Sequence, residues 1–446
     1  MKKIYFSFIL LYFFIVFSGL NLFWSYYPYD GFRILQILIV VISSVYFIFN
    51  KKNIFTDNYY CIFNSLIILF IYSCLQAVYP LRALQEAVHF LGLLVVFIAV
   101  LTVLSNNNNQ KIILAFSLFP LLTLIFLPIA IIERAFLNNP YAIWTQSFIN
   151  IRMLDDALLP CLFLLWYFSM KYFHNKKVIA LIFLLSTLFF LNFLMNGSRA
   201  IFLSLIIAFI SFYLMNKKEF YLYFKIPFFS FLTACLFYSI YQLLSVDGGS
   251  VSLLRYSSSG RLDIWYQAIL AWSNQPFGGI GGNHLFLYIK NGVLHPHNLL
   301  ILLLTEFGLI IFTLILYLLL LCVKKIIKHR NDIPTPLLIG LIGIGINALL
   351  SGSMVYPASQ TLNIFYIAFT LSFIPLTFQK TNILAKIFVA IVLCATLFLQ
   401  FQNITCINCM SVGERQAPRF WNYGMSRNLV EYNEEKIGKK IDISEY

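Results

Sequence analysis

Charge is what this sequence has least of. Only 11% of its residues are Asp, Glu, Lys or Arg and 61% are hydrophobic; a soluble domain averages about 25% charged and about 45–50% apolar. A chain of 446 residues with so little charge cannot clothe itself in a polar surface, which excludes a soluble enzyme. Acid is scarcer than base, with 17 Asp and Glu against 31 Lys and Arg. The resulting net charge of +14 does not point to nucleic acid as a partner. The basic residues sit in short connections between apolar runs, the arrangement by which multi-pass proteins orient themselves.

Other absences narrow the field. No alternation of strands and helices appears, nor any periodic repeat, so a Rossmann-like nucleotide domain is excluded. The glycine-rich "QPFGGIGGNH" (275–284) follows no strand and precedes no GK[ST], so it fits neither nucleotide fingerprint and reads as a flexible turn that lets substrate approach the backbone. "MKKIYFSFILLYFFIVFSGL" begins like a signal peptide, but no small-x-small cleavage site precedes Trp24, and the segment reads as a retained first helix. Six cysteines (Cys61, Cys74, Cys161, Cys235, Cys322, Cys394) lie inside apolar runs, where they act as small apolar side chains. Only Cys406 and Cys409 are closely paired, and a disulfide, zinc binding and free thiols all remain open to them.

What is present is apolar length. Runs of eighteen or more apolar residues, enough to cross a bilayer core of about 30 Å, recur along the chain. Thirteen spans are expected, at roughly 4–24, 33–50, 59–78, 85–105, 112–132, 155–173, 178–196, 200–216, 224–245, 298–323, 335–351, 361–379 and 383–401. The fold class is therefore all-α: a polytopic integral membrane protein of about 12–13 transmembrane helices with one large outer loop. Residues 1–245 form the N-terminal helices, 246–297 the loop, 298–401 the C-terminal helices and 402–446 a soluble tail.

Lysine and arginine divide between the two sides. Lys2, Lys3, Lys51, Lys52, Lys111, Lys171, Lys176, Lys177, Lys217, Lys218, Lys324, Lys325, Lys328, Arg330 and Lys380 fall in alternate connections, assigned to the cytoplasm. The opposite connections hold Arg33, Arg82, Arg134, Arg152, Arg199, Arg255 and Arg261, with Lys290 their single lysine. Topology would deplete both residue types outside. Arginine, unlike lysine, offers a planar fork that grips phosphate bidentately, so the outer arginines point to a phosphate-bearing ligand. Each one taken singly could instead snorkel, meet a lipid headgroup, or pair with Glu133, Asp155 or Asp263.

The outer loop carries a short interfacial helix, "SGRLDIWYQAILAW", with Trp265, Ala268, Ile269 and Trp272 on one apolar face and Arg261 at its N-terminal end. Beyond it, "GVLHPHNLLILLLTEFGLIIF" (292–312) sets two histidines against an apolar run. Pro296 predicts a turn, then a helix beginning near His297. In that first turn the positive helix end would keep the imidazole neutral and available as a base. Gly308, eleven residues on, returns to within ~20° of the same face, where it would let a helix or lipid chain pack beneath the histidine. Glu306, the main acid inside a span, falls on the opposite face.

These motifs together resemble the bacterial O-antigen ligase superfamily, which also contains O-antigen polymerases and pilin-type O-oligosaccharyltransferases. His297-Asn298, nine residues and Gly308 match its signature; "SGRLDIWYQAILAWSNQPFGGIGGN" matches its outer-loop pattern, and "NGSRAIFLSL" its Ser-Arg motif around Arg199. Ile311 stands where the ligases usually carry a second small or polar residue. The resemblance implies a multi-pass protein of the inner membrane with its active site facing the periplasm. It implies en bloc transfer of a glycan from undecaprenyl pyrophosphate to an acceptor hydroxyl on a lipid A-core sugar, a pilin-like protein serine or threonine, or a growing glycan. In that chemistry His297 takes the acceptor proton, and Arg199 and Arg261 stabilise the leaving pyrophosphate. Arg152, Arg82, Asn298, Trp265 and His295 are the expected substrate-binding residues. Arginines in that role leave no metal or other cofactor required, and the outer loops hold no Asp-x-Asp and no His/Cys ligand cluster. Partners are the lipid-linked donor, the acceptor and membrane lipid. A lipid or solute transporter is the alternative from another class; it would place charges or broken helices at mid-membrane.

Overall fold

A computed structural model describes residues 2–20, 28–50, 52–53, 57–105, 110–137, 139, 144–145, 148, 150–244, 260–289 and 295–404. The expectations for Arg255, Lys290, the Cys406–Cys409 pair and the tail beyond residue 404 lie outside the described residues. The rest is almost wholly helical. In chain order the helices are α1 (Lys2–Ser18), α2 (Pro28–Phe49), α3 (Asp57–Gln76), α4 (Pro80–Ser105), α5 (Gln110–Leu118), α6 (Leu121–Leu124), α7 (Phe126–Phe136), α8 (Ile151–Lys171) and α9 (Lys176–Met195). They continue with α10 (Arg199–Met215), α11 (Lys217–Tyr223), α12 (Lys225–Leu244), α13 (Arg261–Ser273), α14 (Leu299–Lys328), α15 (Thr335–Leu350), α16 (Pro357–Leu371) and α17 (Ile383–Ile404).

The protein is an all-α polytopic membrane protein. Each of the thirteen expected apolar segments overlaps helix, but eight helical segments among the described residues are long and apolar enough to cross a bilayer unaided. The difference has physical causes. Helix α1 is only 17 residues long, whereas the segment expected at 112–132 is one of the eight, as Ile113–Phe136, although it is divided into α5, α6 and α7 with Pro120 at the N-cap of α6 and Pro128 within α7. Helices α10 and α15 are apolar but only 17 and 16 residues long. The segment expected at 361–379 leaves helix at Leu371.

Helix α8 lies at the centre. Every residue from Leu154 to Ser169 is buried, as befits a helix apolar on all sides. It packs against α5, α9, α15 and α16. Close approach of α15 rests on Gly343, where a β-carbon would stand 2.6 Å from the Phe163 ring. Around α8, α1, α2, α9, α10, α12, α15 and α16 share one large apolar core, and α3, α4, α14 and α17 build a second.

Two contacts tie lysine-bearing connections together. A two-stranded antiparallel ladder, β1 (Lys52–Asn53) with β2 (Gln379–Lys380), joins the connections after α2 and before α17. The Thr335 hydroxyl, at the start of α15, donates to Glu219 of α11 at 2.7 Å. Within each of these two pairs, the lysine-bearing connections lie against one another. Arg33, expected in an outer connection, instead lies inside α2 at 2% exposure. It donates to Gln36 at 2.5 Å and lies 2.8 Å from His89 Nε2, while Gln36 reaches Gln360 of α16 at 2.9 Å. A buried cation of this kind persists because neighbouring helices satisfy its donors.

Candidate active site

Three arginines open three helices. Arg152 is the second residue of α8, Arg199 the first of α10 and Arg261 the first of α13. This is the end of a helix where a cation is unfavourable by about 0.3–1 kcal/mol, because the exposed N–H groups already carry partial positive charge. The three helix starts meet at a cavity of about 280 Å³, walled further by Gly197, Ser198, Asp155, Asp156, His297, Ser351 and Tyr356. Positive charge is thus gathered against both Coulomb repulsion and the helix dipoles. Burial, and then the guanidiniums of Arg152 and Arg199, push Arg261 below its ordinary pKa.

Two carboxylates stand in the same wall, and both are held by neutral donors. Asp155 accepts from Asn192 at 2.7 Å, Asn196 at 2.8 Å and the Ser198 hydroxyl. Asp156 accepts from Asn347 at 2.8 Å and from the Ser351 hydroxyl. Among the described residues Arg152 and Arg261 form no ion pair. Both acids are satisfied by neutral donors, while Asp156 also acts through space on Arg261 and Arg152. Among the described residues Glu133 accepts from Asn139, and Arg134 lies over the Trp144 ring at 4.8 Å.

His297 enters the cavity from the loop side. It does not sit in the first turn of α14, as the sequence predicted. Asn298 is the N-cap, its Oδ1 accepting from the Leu300 and Ile301 N–H groups at 3.0 and 3.1 Å, and His297 precedes it. Its φ of 53° is left-handed, costly for a residue with a β-carbon. Three contacts hold it there. Trp265 Nε1 donates to the Pro296 carbonyl at 2.7 Å, the His297 N–H donates to His295 Nδ1 at 3.2 Å, and the Asn298 cap fixes the chain beyond. The imidazole is neutral for a reason other than the helix end. Burial first, then the charges of Arg261 and Arg152, push its pKa down to about 4.

Gly308 is also not a helical surface position. Its φ of 75° and ψ of 174° break α14, and the glycine-rich turn docks in the break. Ile280 N–H donates to the Thr305 carbonyl at 3.0 Å, Gly281 N–H to Glu306 at 2.9 Å, and Leu309 N–H to Pro276 at 2.8 Å. A β-carbon on Gly279 would stand 2.5 Å from the Glu306 carbonyl oxygen, and one on Gly282 2.8 Å from the Glu86 β-carbon. The glycines serve chain-to-chain packing and leave no room for substrate at this backbone, contrary to the sequence reading. The buried face of α13 differs from expectation too: Ile264, Ala268 and Ala271 pack on Ile280, Leu285 and Ile289, while Ile269 is exposed.

Of the residues singled out from sequence, His297, Arg261, Arg199 and Arg152 line the cavity. Trp265, Asn298 and His295 surround His297 without lining it, the His295 ring lying 4.2 Å from that of His297. Arg82 is elsewhere, buried in the first turn of α4 with its guanidinium 4.2 Å above the Phe286 ring. Sequence reading missed Asp156, Ser351 and Tyr356 as cavity residues. The available signal was polarity out of place: two adjacent acids in a helix otherwise apolar, and the stretch "SGSMVYPASQ" between two apolar helices.

Fold and cavity define a multi-pass membrane protein with a concentrated cationic site beside a neutral histidine. The model of the O-antigen ligase family matches residues 182–318, a stretch holding Arg199, Arg261, His297, Asn298 and Gly308. That match supports membership of the O-antigen ligase superfamily and a membrane enzyme of ligase or polymerase type. Comparison with curated proteins and with solved structures found no match.

Proposed function

We propose that this protein transfers a glycan en bloc from undecaprenyl pyrophosphate to an acceptor hydroxyl at the periplasmic face of the inner membrane. The observation that carries the reading is the convergence of Arg152, Arg199 and Arg261 at three helix starts while the neighbouring acids are occupied by neutral donors. Such a site suits a multiply charged phosphate group, which both the guanidinium forks and the helix N-termini favour. Arg261 and Arg199 hold the pyrophosphate and Arg152 adds a third grip. Trp265, Asn298 and His295 hold the loop that presents His297.

The chemistry follows from the placement. The acceptor oxygen attacks the anomeric carbon, the bond from that carbon to the phosphate oxygen breaks, and the electron pair leaves with undecaprenyl pyrophosphate. His297, neutral at physiological pH, takes the proton from the attacking hydroxyl. The charge developing on the leaving oxygen meets guanidiniums already in place, which is where preorganised electrostatics contribute most. Lipid A-core sugar and protein Ser or Thr are the acceptors proposed; a growing glycan would make the enzyme a polymerase.

The test is genetic and chemical together. In a strain lacking the gene, a surface glycoconjugate should lose its glycan while the lipid-linked donor accumulates. Which molecule loses sugar identifies the acceptor. Wild type should restore it and His297→Ala should not, since losing a general base costs about 10²–10⁴ in rate. Full restoration by a stably inserted His297→Ala protein would overturn the assignment.

A further inference from the structure

Tyr356, at the cavity wall, and His295, behind it, fix each other's protons. The backbone N–H of His297 can only donate, and it donates to Nδ1 of His295 at 3.2 Å. That nitrogen therefore carries no proton, and the neutral ring holds its single proton on Nε2. Nε2 lies 3.3 Å from the Tyr356 hydroxyl. The ring donates and the phenol oxygen accepts, so the proton of Tyr356 must find another acceptor. Among the described residues the hydroxyl makes no other hydrogen bond. Asp156, whose charge Tyr356 feels, already accepts from Asn347 and Ser351.

The pair is held rigidly. The two rings meet edge to face at 5.3 Å and 81°. Gly352 lies beneath both: a β-carbon there would stand 2.6 Å from His295 Cε1 and 2.7 Å from Tyr356 Cζ. Tyr356 also lines the cavity that the three arginines share. Burial raises its pKa, so the phenol stays protonated at neutral pH.

We propose that Tyr356 binds the anionic group in the cavity, donating its hydroxyl proton to a non-bridging oxygen of a diphosphate, and that His295 is the positioning residue that directs it there. This rests on the reading of the cavity as a diphosphate site and goes beyond it. A neutral donor adds direction to a site whose three guanidiniums already supply charge. His295 thereby serves two ends of the same site: Nδ1 holds the left-handed His297 backbone, and Nε2 orients the phenol.

Purified protein in detergent, titrated with farnesyl diphosphate and followed by calorimetry, separates the possibilities. Wild type should bind. Tyr356→Phe, which removes one oxygen, should bind about tenfold or more weakly, the usual consequence of losing a hydrogen bond to a charged group. Its melting temperature without ligand should fall only slightly, by the loss of the 3.3 Å hydrogen bond from His295. His295→Gln, which retains an N–H near the place of Nε2, should keep most of the affinity. His295→Asn, which retains only an acceptor near the place of Nδ1, should fall to the level of Tyr356→Phe although the tyrosine is present. Wild-type affinity in Tyr356→Phe would overturn the proposal. Unweakened binding by both His295 variants would overturn the positioning role. A wild-type protein that does not bind the probe would instead overturn the diphosphate reading itself.

Discussion

A β-carbon on Gly308 would collide with the carbonyl of Phe277 and stand 2.5 Å from the nitrogen of Gly279. Helix and loop therefore touch backbone to backbone, and the glycine of the family signature marks where α14 opens to receive the loop.

Gly308→Ala should consequently be among the most damaging single-methyl changes in the protein. The backbone region it occupies is almost closed to L-residues and costs about 1–3 kcal/mol, before the collision is counted. Thermal unfolding in detergent should drop markedly and transfer should fail. Gly345→Ala is the control: nothing lies within 4 Å of its would-be β-carbon, and in a helix the change should be neutral or stabilising by up to ~1 kcal/mol. Equal melting temperatures for Gly308→Ala and wild type would show that the break does not hold the loop.

The pH profile follows from the sign of the His297 shift. Its pKa is lowered to about 4, and the base works when deprotonated, so kcat/KM should be flat at neutral pH and fall only as pH drops through about 4. An unperturbed histidine would lose activity through about 6.5. Arg261→Gln removes one of the positive neighbours and should move the acid limb upward. A limb near 6.5 in wild type would mean that burial and the arginines do not act on the base.

Arginine position should separate binding from stability. Arg261→Lys and Arg199→Lys keep charge but lose the fork, and diphosphate affinity should fall by about 10-fold or more. Arg82→Met should leave that affinity unchanged and lower the melting temperature, because Arg82 stacks on Phe286 away from the cavity. Loss of probe affinity in Arg82→Met would place that residue in the site.

Asp155 should tolerate almost nothing. Asn192, Asn196 and Ser198 all donate to it, so Asp155→Asn sets an amide N–H against a donor in a buried position, at a cost of about 1–3 kcal/mol. Arg199 follows Ser198 directly, and transfer should fall with stability. Ser198→Ala removes one donor and should be milder in both assays.

With three guanidiniums assigned to the pyrophosphate, transfer by purified enzyme should proceed in excess EDTA. Activity lost in chelator and restored by magnesium or manganese would reassign the charge stabilisation.

The legible parts of this protein were those written in composition and residue type. Apolar runs forecast helices, and the contrast between lysine and arginine connections forecast where cationic side chains gather: Arg152, Arg199 and Arg261 do share one cavity. Periodicity misled at α14, since eleven residues at 100° each place Gly308 under His297 only if the helix is unbroken, and a positive φ leaves no trace in hydropathy. Arg33 and Arg82 misled for a related reason. A cation near a span end looks like a surface residue until the neighbouring helices that bury it are known, His89 and Gln36 for one and Phe286 for the other. Tyr356 was hidden because one tyrosine among 27 carries no mark of its own until His295 is seen beside it.

The docking of the glycine-rich turn into the gap in α14 bears on how this molecule could be re-engineered. A chimera that imports a related protein's outer loop and joins it at Asn298 would pair the foreign turn at 276–281 with native carbonyls and amides at 305, 306 and 309. Loop and receptor are one interchangeable part, running from Gly260 past Leu309, and a graft should move the whole of it, with its seam well inside the second half of the helix.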